Sequence, residues 1–423
     1  MNTKYDVIVI GGGTSGLMAA IAASQEEADV LLIEKNRKFG KKLLMTGGGR
    51  CNVTNCQSIN HLIEHIPGNG KFLHSTFAQW NNQDIIQFFE NEGVALKEED
   101  HGRMFPITDQ SKTIVDTLVN KIKKLNVTCL MQTKVEKLIH DGVSIQGVRC
   151  DKGEFLAPSV IIATGGKTYP STGATGDGYQ LAKQVKHTIT PLYPTESPLI
   201  SNAAFIKERT LQGLSLRDVQ LAVLDENEKM ITKHQLDLLF THFGLSGPAA
   251  LRCSSFINQL LKKQSIVNVC LDCFPDDSKQ ALAQRIKQLL NTQEKKTVKN
   301  ALKGLLPERL LHFYLEQLAI SDLPAHSLTE QQLTSFCELC KAWTIPIERT
   351  FALEKSFVTG GGIHLKEINP KTLESKKING LYACGEVLDI NGYTGGYNIT
   401  AAFCTGHVAG KNAAITASYY NYS

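Results

Sequence analysis

The chain has 423 residues, 42% of them hydrophobic and 20% charged, and 45 basic against 41 acidic residues give a net charge of +4. This composition excludes a disordered or membrane-embedded chain and does not by itself indicate a polyanionic partner, and the length exceeds what one hydrophobic core usually serves. No apolar stretch approaches the roughly 18 residues that span a bilayer, and the N-terminus lacks the layout of a signal peptide, so we expect a cytoplasmic protein without a membrane partner.

The first predicted strand, 5–10, runs into a glycine-rich turn, 11–16, with the spacing Gly-x-Gly-x-x-Gly. In a dinucleotide-binding turn of this kind, Gly11 permits the tight bend and Gly13 lets the backbone approach a pyrophosphate. Gly16 lets the following helix pack on its strand. The alternative is an ordinary strand-turn-helix unit, since glycine-rich turns are common.

A helix is predicted over 14–24, so its N-terminal amides, at Thr14 and Ser15, face the phosphates. The next predicted strand, 29–34, ends in Glu34. An acid about 20 residues after the glycines is placed to accept ribose hydroxyls. This agreement of strand, helix and acid favours the nucleotide interpretation.

Three consecutive glycines, Gly47–Gly49, lie in the segment Gly40–Asn55 and are followed by Arg50, Cys51 and Asn52. Few packed structures need such a sequence. A loop of this kind brings backbone donors, a fixed cation and a thiol against a flat anionic ring. The alternative is a flexible surface loop.

The rest of the N-terminal part alternates helices and strands, which predicts a βαβ layout with a mostly parallel sheet. Helices are predicted near 58–65, 71–78 and 83–92 and over 111–124, and strands over 127–131, 134–140 and 159–163. The last strand ends at Ala163 and runs into Thr164, Gly165 and Gly166. Ala163, Thr164 and Gly165 match the Ala-Thr-Gly turn that passes FAD in two-domain flavoproteins.

After prolines at 191, 194 and 198 the pattern changes to β-like runs, such as 219–224 and 266–270, and then becomes helical from 276 to about 340. An insert with a β part and a small helical bundle is therefore predicted. We expect four parts: 1–191 as the first part of the FAD-binding domain, 192–275 as a β-rich subdomain, 276–345 as a helical subdomain and 346–423 as the second part of the FAD-binding domain.

Between 281 and 311 the helical part carries seven basic side chains against two acidic ones, Glu294 and Glu308. The seven are Arg285, Lys287, Lys295, Lys296, Lys299, Lys303 and Arg309. A solvated helix face is the usual explanation, and a surface that follows phosphates is the alternative.

The eleven cysteines are scattered and odd in number, which favours reduced thiols over a disulfide framework. Two pairs, Cys270/Cys273 and Cys337/Cys340, have Cys-x-x-Cys spacing and together could form a four-thiolate zinc site. The favoured interpretation is that they are small buried side chains, because one pair ends a β-like run and the other lies in a helical pattern. No metal site is expected.

The glycine-rich pattern resumes at 357–362. The run Gly380–Glu386 then predicts a final strand that ends in Gly385 and Glu386, a segment that meets the ribityl chain and pyrophosphate of FAD in two-domain flavoproteins. After it, Gly395–Ala402 supplies a helix start whose dipole would stabilise negative charge on the flavin ring. Each glycine pair alone could be a turn, but three such pieces in the right order favour FAD over NAD as the resident cofactor.

Several motifs resemble those of the BaiN/RdsA-type flavoproteins, also called NAD(P)/FAD-dependent oxidoreductases, over essentially the whole chain. They lie at 47–55, 102–106, 164–166 with 176–178, 241–248, and 385–389 through 395–398. The resemblance implies an α/β fold with a Rossmann-like FAD-binding domain, similar to glutathione reductase and fumarate reductase, split by an insert. It also implies reduction of an activated C=C bond, in bile-acid intermediates or in a uridine of large-subunit ribosomal RNA.

A second Gly-x-Gly-x-x-Gly after a strand is missing, so we expect NAD(P)H to dock transiently, deliver hydride to the flavin and leave. Reduction of the C=C bond also needs a proton donor. Cys51 is the first candidate, with Tyr393 and Asp389 behind it, and Arg50 or a glycine-loop amide is expected to hold the carbonyl.

The predicted cofactor contacts are Gly11, Gly13, Thr14, Ser15, Gly16, Glu34, Lys35, Lys42, Gly48, Gly49, Arg50, Cys51, Asn52, Val135, Thr164, Gly165, Gly385, Glu386, Gly396, Asn398 and Ile399. The favoured substrate is a uridine of ribosomal RNA, reached through the basic helical insert. A small-molecule enone reductase and a non-catalytic flavin-binding sensor or assembly factor are the alternatives.

Overall fold

A computed structural model describes residues 3–421 of the chain. It divides into two compact units, one formed by Met1–Tyr193 with Leu353–Ser423 and the other by Pro194–Ala352. The second unit therefore interrupts the first in sequence, close to the predicted boundaries at 191 and 345. The further division of the insert at 275 stays a prediction.

A five-stranded parallel sheet forms the centre of the first unit. From one edge to the other its strands are Leu381–Ala383, Ser159–Ile162, Val7–Ile10, Val30–Glu34 and Thr128–Met131. Every residue of the three central strands is buried, which explains their near-continuous apolar sequences. The predicted parallel sheet is confirmed, and its last strand comes from beyond the insert.

Two small antiparallel sheets accompany it in the same unit, one of Val135–His140, Ile145–Cys150 and Gly153–Leu156, the other of Thr54–Asn55, Arg103–Pro106 and Leu96–Glu99. The α-helices of the unit are Thr14–Gln25, Ile59–Glu64, His74–Gln79, Asn82–Asn91, Ser111–Lys124, Asp177–Gln184 and Tyr397–Asn421. The helix predicted over 111–124 has those bounds, whereas the one predicted near 71–78 is a 3-10 turn, Gly70–Leu73, followed by a short α-helix.

The first and last helices of this unit pack backbone against backbone. A Cβ atom added at Gly406 would lie 2.4 Å from the carbonyl oxygen of Ser15, and one added at Gly410 would lie 2.2 Å from that of Ala19. Only glycine permits this approach, and the residues around these contacts, such as Ala19, Ala20 and Ala409, are buried. The C-terminal helix is thereby fixed beside the glycine-rich turn.

The second unit contains a seven-stranded sheet made of antiparallel pairs. In sheet order its strands are Trp343–Ile347, Val267–Asp272, Ser215–Leu224, Met230–Phe240, Gly244–Ser246, Leu199–Ile200 and Arg349–Thr350. Its α-helices are Ala204–Lys207, Pro248–Leu260, Lys279–Asn291, Val298–Ala301, Glu308–Gln317 and Glu330–Ala342. The strand that follows these helices returns to the sheet, and sheet and helices share one hydrophobic cluster.

The paired cysteines of this unit meet where the sheet adjoins the last helix. The amide of Cys273 donates to the carbonyl oxygen of Cys340 over 2.8 Å, and burial raises the pKa of the Cys273 thiol to about 12. All eleven cysteines are free thiols. Over residues 3–421 we find no group of three or more His, Cys, Asp or Glu side chains able to hold a metal, and no helix long and apolar enough to cross a membrane.

A buried polar cluster ties two loops of the first unit together. His187 bonds Glu367 through Nδ1 at 2.9 Å and the Ser375 hydroxyl through Nε2 at 2.8 Å. Glu367 also accepts from Thr188 and Lys377. Burial by itself would raise the pKa of Glu367, but these donors together lower it to about 2. Ser375 Oγ accepts two backbone amides as well, so this triad-like chain of contacts is structural.

The pKa of Glu367 falls from 4.5 to about 2, so replacing it by Gln should remove about 3 kcal/mol from the free energy of unfolding at pH 7, at roughly 1.4 kcal/mol per unit of pKa. Because the folded-state pKa lies below the ordinary 4.5, this stability is present above pH 4.5 and is lost as the pH falls toward 2. Urea denaturation at pH 7, 5 and 3 measures the effect. Glu154→Gln, at a half-exposed ion pair with Arg149, is the control, and equal losses for both variants would contradict the assignment.

Candidate functional site

Of the three motif glycines in the turn, two are packed and one is open. Gly11 has φ of +106°, and a Cβ there would lie 2.6 Å from the carbonyl oxygen of Ala163. At Gly16 a Cβ would lie 1.8 Å from the carbonyl oxygen of Gly11. Gly13 differs, because no atom lies within 4 Å of its Cβ position. It is the residue before the helix that begins at Thr14, and its φ of −87° is open to any residue.

Glu34 ends the neighbouring strand and is buried against the turn. Its Oε2 accepts from the amide of Gly12 at 2.7 Å, and its Oε1 accepts from the amide and side chain of Asn36, each at 2.7 Å. The carbonyl oxygen of Glu34 accepts from the amide of Thr133, which brings the segment that leads into the buried Val135 beside it. The backbone of Glu34 is thus bonded to the chain two residues before Val135.

Lys35 follows and is directed to the loop before another helix. Its ammonium group bonds the Thr175 hydroxyl and the Asp177 carboxylate, each at 2.5 Å. Burial would raise the pKa of Asp177, but Lys35 and Lys134 lower it overall. Lys35 therefore holds this loop next to the predicted adenosine end of the site.

The turn after the strand Ser159–Ile162 also faces open space. Gly165 has φ of +71° and no atom within 4 Å of its Cβ position. Beside it, the Thr164 hydroxyl oxygen is buried and has no hydrogen-bond partner among the described residues. Next along the sheet edge, Gly385 has φ of +75°, and a Cβ there would lie 2.4 Å from Ser15 Oγ. These glycines line the same edge of the sheet as Gly13.

A half-buried ion pair joins the glycine loop to the C-terminal segment. Lys42 Nζ lies 2.8 Å from Glu386 Oε2 and 2.6 Å from the Thr168 hydroxyl. Glu386 also accepts from the amide of Thr359 at 2.8 Å. Burial would raise the pKa of Glu386, but Lys42 and Thr359 lower it overall. Two residues that are 344 positions apart in sequence are thereby locked together.

The glycine loop adopts backbone conformations that favour glycine. Gly47, Gly48 and Gly49 have φ of +56°, +67° and +89°, and the last two face open space. With its amide oriented to satisfy its neighbours, Asn52 accepts from the amide of Gly396 at 2.9 Å. The Thr54 hydroxyl lies 2.7 Å from that of Thr400. The loop is thus fixed against the start of the C-terminal helix.

Arg50 makes contacts that the sequence does not predict, and its expected role at a substrate carbonyl stays a prediction. We expect it to hold a substrate carbonyl, but its guanidinium is ion-paired with Glu99 and Asp109 and stacks 4.3 Å from the centroid of the Phe105 ring. The contact with Arg50 holds the pKa of Glu99 below its usual range. Turning Arg50 toward a substrate would break both of these ion pairs and leave Lys97 as the cation beside Glu99 and Asp109.

Cys51 lies beneath the loop rather than on its surface. The residue has no exposed area, its φ is +62°, and burial raises the pKa of its thiol to about 12. A general acid works best when its pKa is near the operating pH. Burial therefore makes Cys51 a weak acid, and its predicted role as proton donor stays a prediction that this environment opposes.

The other two predicted donors lie on one loop. Asp389 is partly exposed, and burial raises its pKa although hydrogen bonding to Thr190 and to the amide of Gly361 acts in the opposite direction. Tyr393 is 9% exposed. Asn398 clamps the loop, because its side chain accepts from the amide of Gly392 at 2.7 Å and donates to the carbonyl oxygens of Gly392 and Tyr393. Ile399, next to it, is half-buried.

A group of rings beside this loop was not anticipated from the sequence. His61 and His65 stack with centroids 3.9 Å apart, and His65 stacks on Tyr397 at 4.9 Å. His61 Nε2 lies 3.1 Å from the Tyr397 hydroxyl, and His65 also contacts Tyr393 edge-on. The only signal in the sequence is the spacing of the two histidines by one helical turn, which is common in unrelated helices.

The chain matches the model of the family described as HI0933-like protein Rossmann domain over residues 5–412. It belongs to that family. This confirms the family indicated by the motifs and, with the parallel sheet, the predicted Rossmann-like FAD-binding fold with an insert.

Two curated relatives align along nearly the whole chain. The 3-dehydro-bile acid delta(4,6)-reductase of Clostridium scindens is 31% identical over 416 residues, which cover 96% of this chain and 98% of the relative. The ribosomal RNA dihydrouridine synthase of Escherichia coli is 32% identical over 412 residues, which cover 95% of this chain and 96% of the relative.

Among solved structures, 3-ketosteroid delta1-dehydrogenase from Sterolibacterium denitrificans superposes with a TM-score of 0.55 at 12% identity. The superposition covers 98% of this chain and all of that chain. At this level of identity the likeness concerns the fold alone.

The open space at Gly13 yields a direct test. Gly13→Val should fold, because nothing occupies the Cβ position and the backbone conformation suits valine, at a cost of up to about 1 kcal/mol for a poorer helix cap. It should not retain FAD, because the side chain would fill the pyrophosphate position. Circular dichroism and flavin absorbance of the purified protein measure both properties.

Gly16→Ala is the contrasting variant and should fail to fold, since its Cβ would overlap the carbonyl oxygen of Gly11. A yellow Gly13→Val protein with a full complement of FAD would show that the open space is not the cofactor site.

Proposed function

We propose that this chain binds FAD without a covalent link and uses it to reduce an electron-poor C=C bond. The observation that carries the proposal is the edge where the carboxyl ends of four adjacent parallel strands meet. Those strands are followed by Gly385 with Glu386, by Thr164 with Gly165, by the glycine turn and by the end of the acidic strand at Glu34. Ligands of open α/β sheets bind at this edge.

The residues at this edge fit a dinucleotide. Gly13 and Gly165 leave room for a ligand beside the backbone, and the buried Thr164 hydroxyl would gain a partner. Glu34 makes three hydrogen bonds in the protein and keeps acceptor capacity for a ribose hydroxyl, because a carboxylate has about four lone-pair sites. We propose that the remaining cofactor contacts predicted from the sequence also bind FAD.

When bound, FAD supplies hydride chemistry, and the protein supplies position, charge and a proton. The first-turn amides of the helix Tyr397–Asn421 and its dipole favour negative charge in front of them. The ion pair of Lys42 and Glu386 holds the glycine loop in place. NAD(P)H is the proposed reductant, docking only transiently, since the sequence contains one dinucleotide turn of this kind and not two.

For the proton we favour Asp389 over Cys51. A raised pKa brings the Asp389 carboxyl closer to neutrality, whereas the raised pKa of the Cys51 thiol takes it further away. Asp389 is also partly exposed, and Cys51 is not. Tyr393, in the same loop and in contact with His65, is the second candidate.

For the substrate we favour a uridine of ribosomal RNA, in keeping with the Escherichia coli relative, and such a substrate would place the protein in the cytoplasm. The Clostridium scindens relative, at nearly the same identity, supports a steroid-like enone as the second candidate.

The basic stretch 281–311 gives less support to an RNA partner than the sequence implies. Arg285, Lys287 and Lys299 are ion-paired with Asp277, Glu330 and Asp322. That leaves Lys295, Lys296, Lys303 and Arg309 as the cations of the stretch that make no ion pair among the described residues. Neutralised cations contribute less to binding driven by counterion release.

Asp389→Asn should slow C=C reduction by about 10²–10⁴-fold, the usual weight of general acid catalysis, and leave reduction of FAD by NADPH unchanged. In the wild type the rate should fall as the pH rises through the pKa of Asp389, because only the protonated carboxyl donates. Stopped-flow measurement of the two half-reactions across pH separates these effects. Cys51→Ala is the matched variant and should change the rate only a few-fold; the reverse ranking would make Cys51 the donor.

The substrate is tested by mass spectrometry of ribosomal RNA from a strain that lacks the gene. We expect loss of one dihydrouridine and its return on complementation with the wild-type gene but not with the Gly13→Val gene. Purified protein should in parallel be offered the RNA and a 3-oxo-4-ene steroid with NADPH. Unchanged dihydrouridine together with consumption of the steroid would establish the small-molecule reductase instead.

A further inference from the structure

A cavity lies in the first unit, between one face of the helix Asp177–Gln184 and the segment that follows it. Its volume is about 380 Å³, within the range of small-molecule pockets. Lys167, Tyr179, Lys183 and Thr190 are among the residues that line it. None of these four belongs to the predicted cofactor contacts.

The charges of this cavity are unbalanced. Over residues 3–421 the ammonium groups of Lys167 and Lys183 have no hydrogen-bond acceptor or carboxylate partner. The one carboxylate of the lining, that of Asp177, is already ion-paired with Lys35 at 2.5 Å and lies 3.5 Å from the ammonium group of Lys134. Two uncompensated cations therefore face a concave space, where they favour an anion.

The cavity also adjoins the segment that follows the last strand of the parallel sheet. The Tyr179 hydroxyl donates to the carbonyl oxygen of Glu386 at 3.4 Å, and Thr190 lies beside the carboxylate of Asp389. Residues 386 and 389 belong to the segment proposed to hold the flavin and to donate the proton. A ligand in the cavity is thus separated from that segment by single side chains.

We propose that this cavity recognises the 2′-phosphate of NADPH, with Lys167 and Lys183 as its cationic contacts. The inference rests on the proposed use of a nicotinamide nucleotide as reductant and deepens it by assigning a preference for NADPH over NADH. A cavity of this size suits one phosphorylated ribose, whereas an RNA backbone needs cations spread along a track. Apolar side chains of the lining, such as Leu192, suit the adjacent sugar and base.

The test is binding of adenosine 2′,5′-bisphosphate and of 5′-AMP to the oxidised FAD-loaded protein by calorimetry, which needs no turnover. The bisphosphate should bind at least tenfold more tightly than AMP, because charge-assisted contacts to the second phosphate are among the stronger hydrogen bonds. In the double variant Lys167→Glu/Lys183→Glu this preference should disappear. Lys262→Glu/Lys263→Glu, at two exposed lysines of the other unit, is the control with the same change in net charge.

A second readout is the rate of flavin reduction by NADPH and by NADH. Each rate is measured over a range of dinucleotide concentrations with no other ligand present. The double variant should lose at least tenfold in apparent affinity for NADPH and keep that for NADH, while dithionite reduces both proteins equally. Equal binding of the bisphosphate and AMP to the wild type, or unchanged preference in the double variant, would overturn the inference. If neither dinucleotide reduces the wild-type flavin but the bisphosphate binds as expected, the proposed reductant fails and the phosphate site stands.

Discussion

The structure of the first unit depends on contacts between backbones that only glycine allows. Gly11 and Gly16 bring the first strand, its helix and the turn after Ile162 together, and Gly406 and Gly410 seat the C-terminal helix on the first helix. Each contact leaves no room for a Cβ atom. Because the chain that forms the C-terminal helix lies beyond an insert of about 160 residues in sequence, the helix contacts reunite the two halves of the unit, together with the pairing of the strands Leu381–Ala383 and Ser159–Ile162.

Around this frame, ion pairs between distant segments fix the loops at the edge of the sheet. Lys42 with Glu386 and Lys35 with Asp177 join segments that are more than 140 residues apart. Partial burial makes each partner costly to remove, since the remaining charge would stay desolvated. The loops that would surround a flavin are therefore held in place by contacts within the protein. Gly13, Gly48, Gly49 and Gly165, in these loops, leave open space beside the backbone.

The same site illustrates how environment sets acidity. Burial raises the pKa of both Cys51 and Asp389. For a thiol, whose ordinary pKa already lies above neutrality, the shift removes it from useful acid chemistry. For a carboxyl it does the opposite, because the group then keeps its proton to a higher pH. The sequence places Cys51 ahead of Asp389 as proton donor, and the effect of burial on their pKa values favours the opposite order.

The sequence by itself determined the parallel sheet, the glycine turn, the helix Ser111–Lys124, the interruption by an insert and the family, because each depends on local spacing or on an uninterrupted motif. It did not reveal that Arg50 is committed to Glu99 and Asp109, that His61 and His65 stack on Tyr397, or that Lys167 and Lys183 share a cavity. Those facts join residues from separate segments, and a side chain's partners and burial exist only once the chain has folded. Tertiary structure therefore decided which polar residues are available for chemistry and which are already engaged.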